Sequence, residues 1–94
     1  MRESVIETYL ATKMIAIGGW SIKLYAMSIK GIPDRLTLFK GKATFVELKA
    51  PGRKPTKLQL FIHAKLAKYG FKVLVIDSKE KVDAFTKTIT SVPE

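Results

Sequence analysis

Gly31-Ile32-Pro33-Asp34 and Phe45-Val46-Glu47-Leu48-Lys49, with twelve residues between that aspartate and Glu47, decide how this chain is read. A carboxylate follows a Gly-x-Pro turn. A Glu-x-Lys triplet ends an apolar, β-favouring run. On a strand, Glu47 and Lys49 project from the same face, roughly 6.5–7 Å apart, because side chains alternate with period two. With Asp34 at the adjoining strand, two carboxylates and an ammonium converge on one small volume. Metal-assisted cleavage of a phosphodiester needs that set: hard oxygen ligands for Mg²⁺ and a fixed positive charge beside the attacking water.

Outward from these residues, local signals order the chain. Glu3 to Ile17 is expected to form a helix, with Ser4-Val5-Ile6-Glu7 in the form of a capping box and Gly18-Gly19 as the stop. Trp20 to Met27 alternates as a half-buried strand, with Trp20, Ile22, Leu24 and Ala26 facing inward. Arg35–Phe39 and Ala43–Lys49 form a hairpin across Lys40-Gly41-Lys42, where Gly41 supplies the unusual backbone angle. Thr56-Lys57-Leu58-Gln59 is a second capping box, and opens a helix that Gly70 ends after Tyr69. Phe71–Ile76 reads as an interior strand, and Asp77-Ser78-Lys79-Glu80 caps a last helix through Val82, Phe85 and Ile89. The order is α-β-β-β-α-β-α. A helix between two strands of one sheet makes their connection a parallel crossover, so this α/β sheet is mixed and flanked by helices.

Composition narrows the partners. The 94 residues are read as a single domain, residues 1–94, and contain no cysteine, so thiol chemistry and disulfides are excluded. No apolar run reaches the roughly 18–20 residues of a membrane span, and Met1-Arg2-Glu3-Ser4 does not resemble a signal peptide, so a cytoplasmic protein without a membrane partner is expected. Seventeen Lys and Arg against eight Asp and Glu give a net charge of +9, which favours a polyanion. Between Thr8 and Phe71 the acids are Asp34 and Glu47, and isolated carboxylates in a basic surround repel nucleic acid unless a cation bridges them.

Gly31-Ile32-Pro33-Asp34-Arg35, Val46-Glu47-Leu48-Lys49, Gln59, and Gly70 ahead of Val73-Leu74-Val75-Ile76 together resemble the VRR-Nuc (virus-type replication-repair nuclease) branch of the PD-(D/E)xK nuclease superfamily. The likeness covers essentially the whole chain. It implies a restriction-endonuclease-like core of the small stand-alone phage and bacterial type, related to a domain of a DNA-repair nuclease. It also implies that Asp34 and Glu47 hold Mg²⁺ or Mn²⁺ with the Leu48 backbone carbonyl. Lys49 would position the attacking water, and Gln59 would serve the site from the helix. A first-helix acid often completes the metal site in this superfamily: Glu7 is the candidate, and Glu3 its alternative. Lys23, Arg35, Arg53, Lys54 and Lys57 are expected on DNA phosphates. His63, Trp20 and Phe61 are expected to pack.

Two functions stand against each other on these residues. One is a metal-dependent, structure-selective endodeoxyribonuclease acting as a homodimer on branched DNA, in its sharpest form on four-way (Holliday) junctions. The other is a non-catalytic, basic, dimeric nucleic-acid-binding module. Asp34, Glu47 and Lys49 are all retained, which favours the enzyme.

Overall fold

The computed structural model describes residues 1–26 and 28–91. Its elements are α1 (Glu3–Ala16), β1 (Trp20–Lys23), β2 (Arg35–Phe39), β3 (Lys42–Leu48), α2 (Lys57–Lys68), β4 (Val73–Ile76) and α3 (Lys79–Ser91). The order is the expected α-β-β-β-α-β-α. The sheet runs β1-β2-β3-β4, antiparallel across the first two pairings and parallel between β3 and β4, and so is mixed.

Most of the local signals act as expected. The β2–β3 turn is two residues long, since Phe39 pairs with Lys42. Both Lys40 (φ 45°) and Gly41 (φ 79°) are left-handed there. The unusual angle thus falls on the lysine as well as the glycine, as a hairpin turn matched to strand twist requires. At the start of α2, Thr56 Oγ1 accepts from the Gln59 N–H and Gln59 Oε1 accepts from the Thr56 N–H, so the second capping box is closed. Ser78 Oγ accepts from the Lys81 N–H ahead of α3. The first box does not form. Arg2 is the N-cap of α1 and makes no side-chain capping bond, which leaves Ser4 inside the first turn.

The two faces of the sheet are covered unequally. Ile6, Leu10 and Met14 of α1, with Val82 and Phe85 of α3, are buried against Phe39, Val46, Leu48 and Ile76. Each such side chain contributes about 1.5–3 kcal/mol on leaving water. α2 lies over the opposite face, beside β4, and buries none of its own residues fully. This asymmetry corrects three expectations. On β1 the inward side is the one carrying Ser21, 8% exposed, because α1 covers that side; Trp20, pointing the other way, is 60% exposed. Phe61 lies on the outer side of α2 at 64% exposed. β4 is an edge strand, not an interior one; its apolar run reflects α2 beside it on one face and, on the other, the core that Ile76 shares with Val82 and Phe85 of α3. The Met27 end expected for the first strand lies outside the described residues.

Candidate active site

The registers show which side chains share the face under α2. Leu36 pairs with Phe45, Phe45 with Val73, and Glu47 with Val75. By period two, Asp34, Leu36, Phe45, Glu47 and Lys49 therefore belong to that face. Leu24 N–H donates to the Asp34 carbonyl at 2.8 Å, and Lys49 N–H to the Ile76 carbonyl at 3.1 Å. Each bond continues the ladder past its strand end, so the alternation holds at both residues. Among strand side chains on this face, Glu47 is the one that is buried outright, at 1% exposed. The deepest group beneath α2 is a carboxyl.

Asp34 is held by its turn. Its Oδ2 accepts from the Leu48 N–H at 2.7 Å, which fastens the end of β3 to the chain just ahead of β2. The N–H and C=O of one strand residue point to the same side, so the Leu48 carbonyl also faces Asp34. Gly31 makes the turn fit. It sits at φ +86°, and a Cβ there would lie 3.0 Å from Leu58 Cγ and 3.1 Å from the Leu58 carbonyl oxygen on α2. Gly31→Ala is expected to cost about 1–3 kcal/mol. That corresponds to a melting temperature lower by on the order of 10 °C. An unchanged thermal melt would mean that α2 does not press on this turn.

The electrostatics are those of two adjoining acids. Burial, first, and then a hydrogen bond to Asp34 and its charge push the Glu47 carboxyl up to about 8, against a smaller opposing pull from Lys49. Glu3, at the start of α1, is also raised, by desolvation and by Asp34, and is likewise eased by Lys49. The acids and the ammonium therefore sense one another across the sheet end. Glu3 and Lys49 also line an open cleft of about 470 Å³ with Arg53, Lys54 and Thr56.

α2 supplies two further groups. Gln59 Nε2 donates to Glu47 Oε2 at 3.3 Å. His63 Nε2 lies 3.2 Å from Glu47 Oε1, so this imidazole does more than pack. Its pKa is lowered by burial and by the Lys49 charge. The one readable signal in the sequence was its spacing from Gln59: four residues place both on one helix face.

Asp34, Glu47, Lys49 and Gln59 are thus brought together, with Glu3 at the margin. Glu7 is placed differently. Its Oε2 accepts from Arg35 Nε at 2.9 Å and lies 3.7 Å from Lys23 Nζ, on the α1 side of the sheet. Arg35 is 15% exposed, and its Nη1 also donates to the Ser21 carbonyl. Arg53 and Lys54 line the cleft, and Lys57 stands exposed next to Thr56 at its rim.

Among the described residues no three His, Cys, Asp or Glu side chains gather as a ready-made metal cage. The donor set nevertheless fits Mg²⁺. That ion is commonly bound by one or two carboxylates, keeps several waters and takes substrate phosphate oxygens for the rest. Two adjoining carboxyls, one raised to about 8 by burial and by its acidic neighbour, are what a divalent cation would relieve.

No family model matches the chain. A phage protein named "Putative nuclease p44", from Acyrthosiphon pisum secondary endosymbiont phage 1, is 46% identical over 81 residues, covering 85% of this chain and 87% of that one. A solved structure of a "VRR_NUC domain" superposes with a TM-score of 0.81 at 33% identity, over 97% of both chains.

Proposed function

The chain belongs to the VRR-Nuc family of nucleases, and from that premise we propose that it is a divalent-metal-dependent endodeoxyribonuclease acting on branched DNA as a homodimer. The observation that carries the reading is the buried Glu47 carboxyl beside Asp34, with Lys49 on the same face. Asp34 and Glu47, with the Leu48 carbonyl, would hold Mg²⁺ or Mn²⁺. A bound divalent ion lowers the pKa of water and polarises a phosphate oxygen. Lys49 presents a compact ammonium at the same strand end, suited to orienting a water and to balancing charge that develops on it. Gln59, already bonded to Glu47, steadies that carboxylate from α2.

The first-helix acid nearest the pair is Glu3, and Glu7 would act from further back, through Arg35 and Lys23. Arg53, Lys54 and Lys57 would meet backbone phosphates beside the cleft, which positions DNA without reading bases. Arg35 and Lys23 would join them once DNA competes with Glu7. No helix among the described residues is long and apolar enough to cross a membrane. A protein of this kind would act in the cytoplasm of a bacterium or of a phage-infected cell.

A branched substrate fits the lack of any evident base-reading element among the described residues, since selectivity must then come from DNA shape. Cutting two strands with one site per subunit calls for two subunits. The exposed Leu58, Leu60 and Phe61 on α2 offer apolar surface for such pairing. A panel of single strand, duplex, flap, fork and four-way junction, incubated with Mg²⁺, Mn²⁺ or EDTA, tests the proposal. Branched forms should be cut at least tenfold faster than plain duplex, and EDTA should stop all cutting. Light scattering should give twice the chain mass. Tight binding of every DNA without cutting in either metal would instead identify a non-catalytic binding module.

A further inference from the structure

Glu47 is gripped at both carboxyl oxygens, and both grips come from α2. Gln59 Nε2 donates to Oε2, and His63 Nε2 stands 3.2 Å from Oε1. The Gln59 amide cannot turn round, because its Oε1 is already taken by the Thr56 N–H at 2.9 Å. Its nitrogen must therefore face the carboxyl. The His63 side chain is 11% exposed and Glu47 1%, so water has little access to replace either bond.

The terminal torsion of a glutamate is soft, with a broad, roughly two-fold profile. One hydrogen bond leaves the carboxyl plane able to swing; a second, on the other oxygen, sets it. We propose that His63 is a positioning residue of the nuclease site, fixing the plane of the Glu47 carboxylate so that its remaining lone pairs converge with those of Asp34. The inference rests on the reading of Asp34 and Glu47 as metal ligands. With Glu47 ionised, Nε2 carries the imidazole proton and donates. Packing alone would not require a nitrogen at this position, since Ile62 and Leu66 of α2, both half-buried, already supply apolar bulk on the inward side. Groups that orient a metal ligand from behind typically cost 10–100-fold in metal affinity or activity when removed.

The test compares wild type with His63→Ala, His63→Leu and His63→Gln. Mn²⁺ binding is measured by calorimetry without DNA, and junction cleavage under steady state. His63→Ala and His63→Leu should each weaken Mn²⁺ binding about 10–100-fold. They should lower kcat by a similar factor and leave KM for DNA within about twofold, because the phosphate contacts lie on other residues. His63→Gln keeps a donor of similar reach and should recover most of both losses. Should His63→Ala fail to fold, the Leu and Gln variants, closer in volume to histidine, carry the comparison.

Wild-type Mn²⁺ affinity in the Ala or Leu variant overturns the inference, as does a Gln variant no better than Leu. A wild type that binds Mn²⁺ but cuts none of the DNAs removes the nuclease reading; the positioning claim is then still decided by the binding comparison. A wild type that binds no Mn²⁺ removes both.

Discussion

Glu47→Gln is expected to lose about a thousandfold or more in cleavage while melting at a higher temperature than wild type in metal-free buffer at pH 8 to 9. The two effects have one cause. A divalent metal held there would be worth several kcal/mol at the transition state, and each 1.4 kcal/mol is a factor of about ten. A neutral amide is a poor replacement for a carboxylate in holding it. The same carboxylate is a liability to the metal-free fold, because it is buried beside Asp34 and prefers its proton up to about pH 8. Glutamine cannot ionise, fills nearly the same volume, and can accept from Gln59 with its oxygen while its nitrogen donates to His63 Nε2 in the other imidazole tautomer. Asp34→Asn should lose cleavage to a similar extent and keep DNA binding, since its side-chain oxygen can still accept from the Leu48 N–H. Removing negative charge beside phosphates should, if anything, tighten that binding. Either variant cutting at the wild-type rate would show that the metal is held elsewhere.

Metal-free protein is expected to lose stability between pH 6.5 and 8, and Mg²⁺ to restore it. Glu47 titrates near 4.5 when unfolded and near 8 when folded. Between those values the folded chain binds more protons than the unfolded one, so unfolding is progressively favoured as pH rises, and the loss levels off above about 8. Glu3, also raised from 4.5, adds to the trend in the same direction. His63 opposes it: its pKa is lowered from 6.5, so its contribution grows with pH but is complete by about 6.5. Asp77 and Asp83, both held below the usual carboxylate range by hydrogen-bonding partners, act only in acid. The window from 6.5 to 8 therefore isolates Glu47, and about 1–2 kcal/mol is at stake there, on the order of 5–10 °C in melting temperature. A bound divalent ion must displace that proton, so Mg²⁺ affinity should climb by up to about tenfold per pH unit until pH 8 and then flatten. A metal-free melting temperature that holds steady or rises across the window would refute the raised Glu47 carboxyl.

How far the chain could be read depends on the range over which each residue acts. Asp34, Glu47 and Lys49 were legible because a turn and a strand alternation, both local, put them on one face; the Asp34–Leu48 bond and the Lys49–Ile76 bond are the tertiary form of that pattern. The Thr56–Gln59 box was legible for the same reason, being closed within four residues. The Ser4–Glu7 motif misled for an equally local cause: α1 begins two residues earlier than a Ser4 cap requires, which removes the cap. Trp20 and Phe61 were expected to pack, but burial depends on which helix covers which face, and α2 leaves β1 uncovered.

From the sequence by itself came the element order, the mixed sheet and the acid–acid–lysine trio, because period two, period 3.6 and capping chemistry are properties of neighbouring residues. Only the tertiary structure decided that β4 is an edge, that Glu3 rather than Glu7 is the α1 acid close to Asp34, and that His63 grips Glu47. Those are matters of distance between segments tens of residues apart, set by how α1, α2 and α3 divide the two faces of one sheet. No periodicity within a single element encodes them.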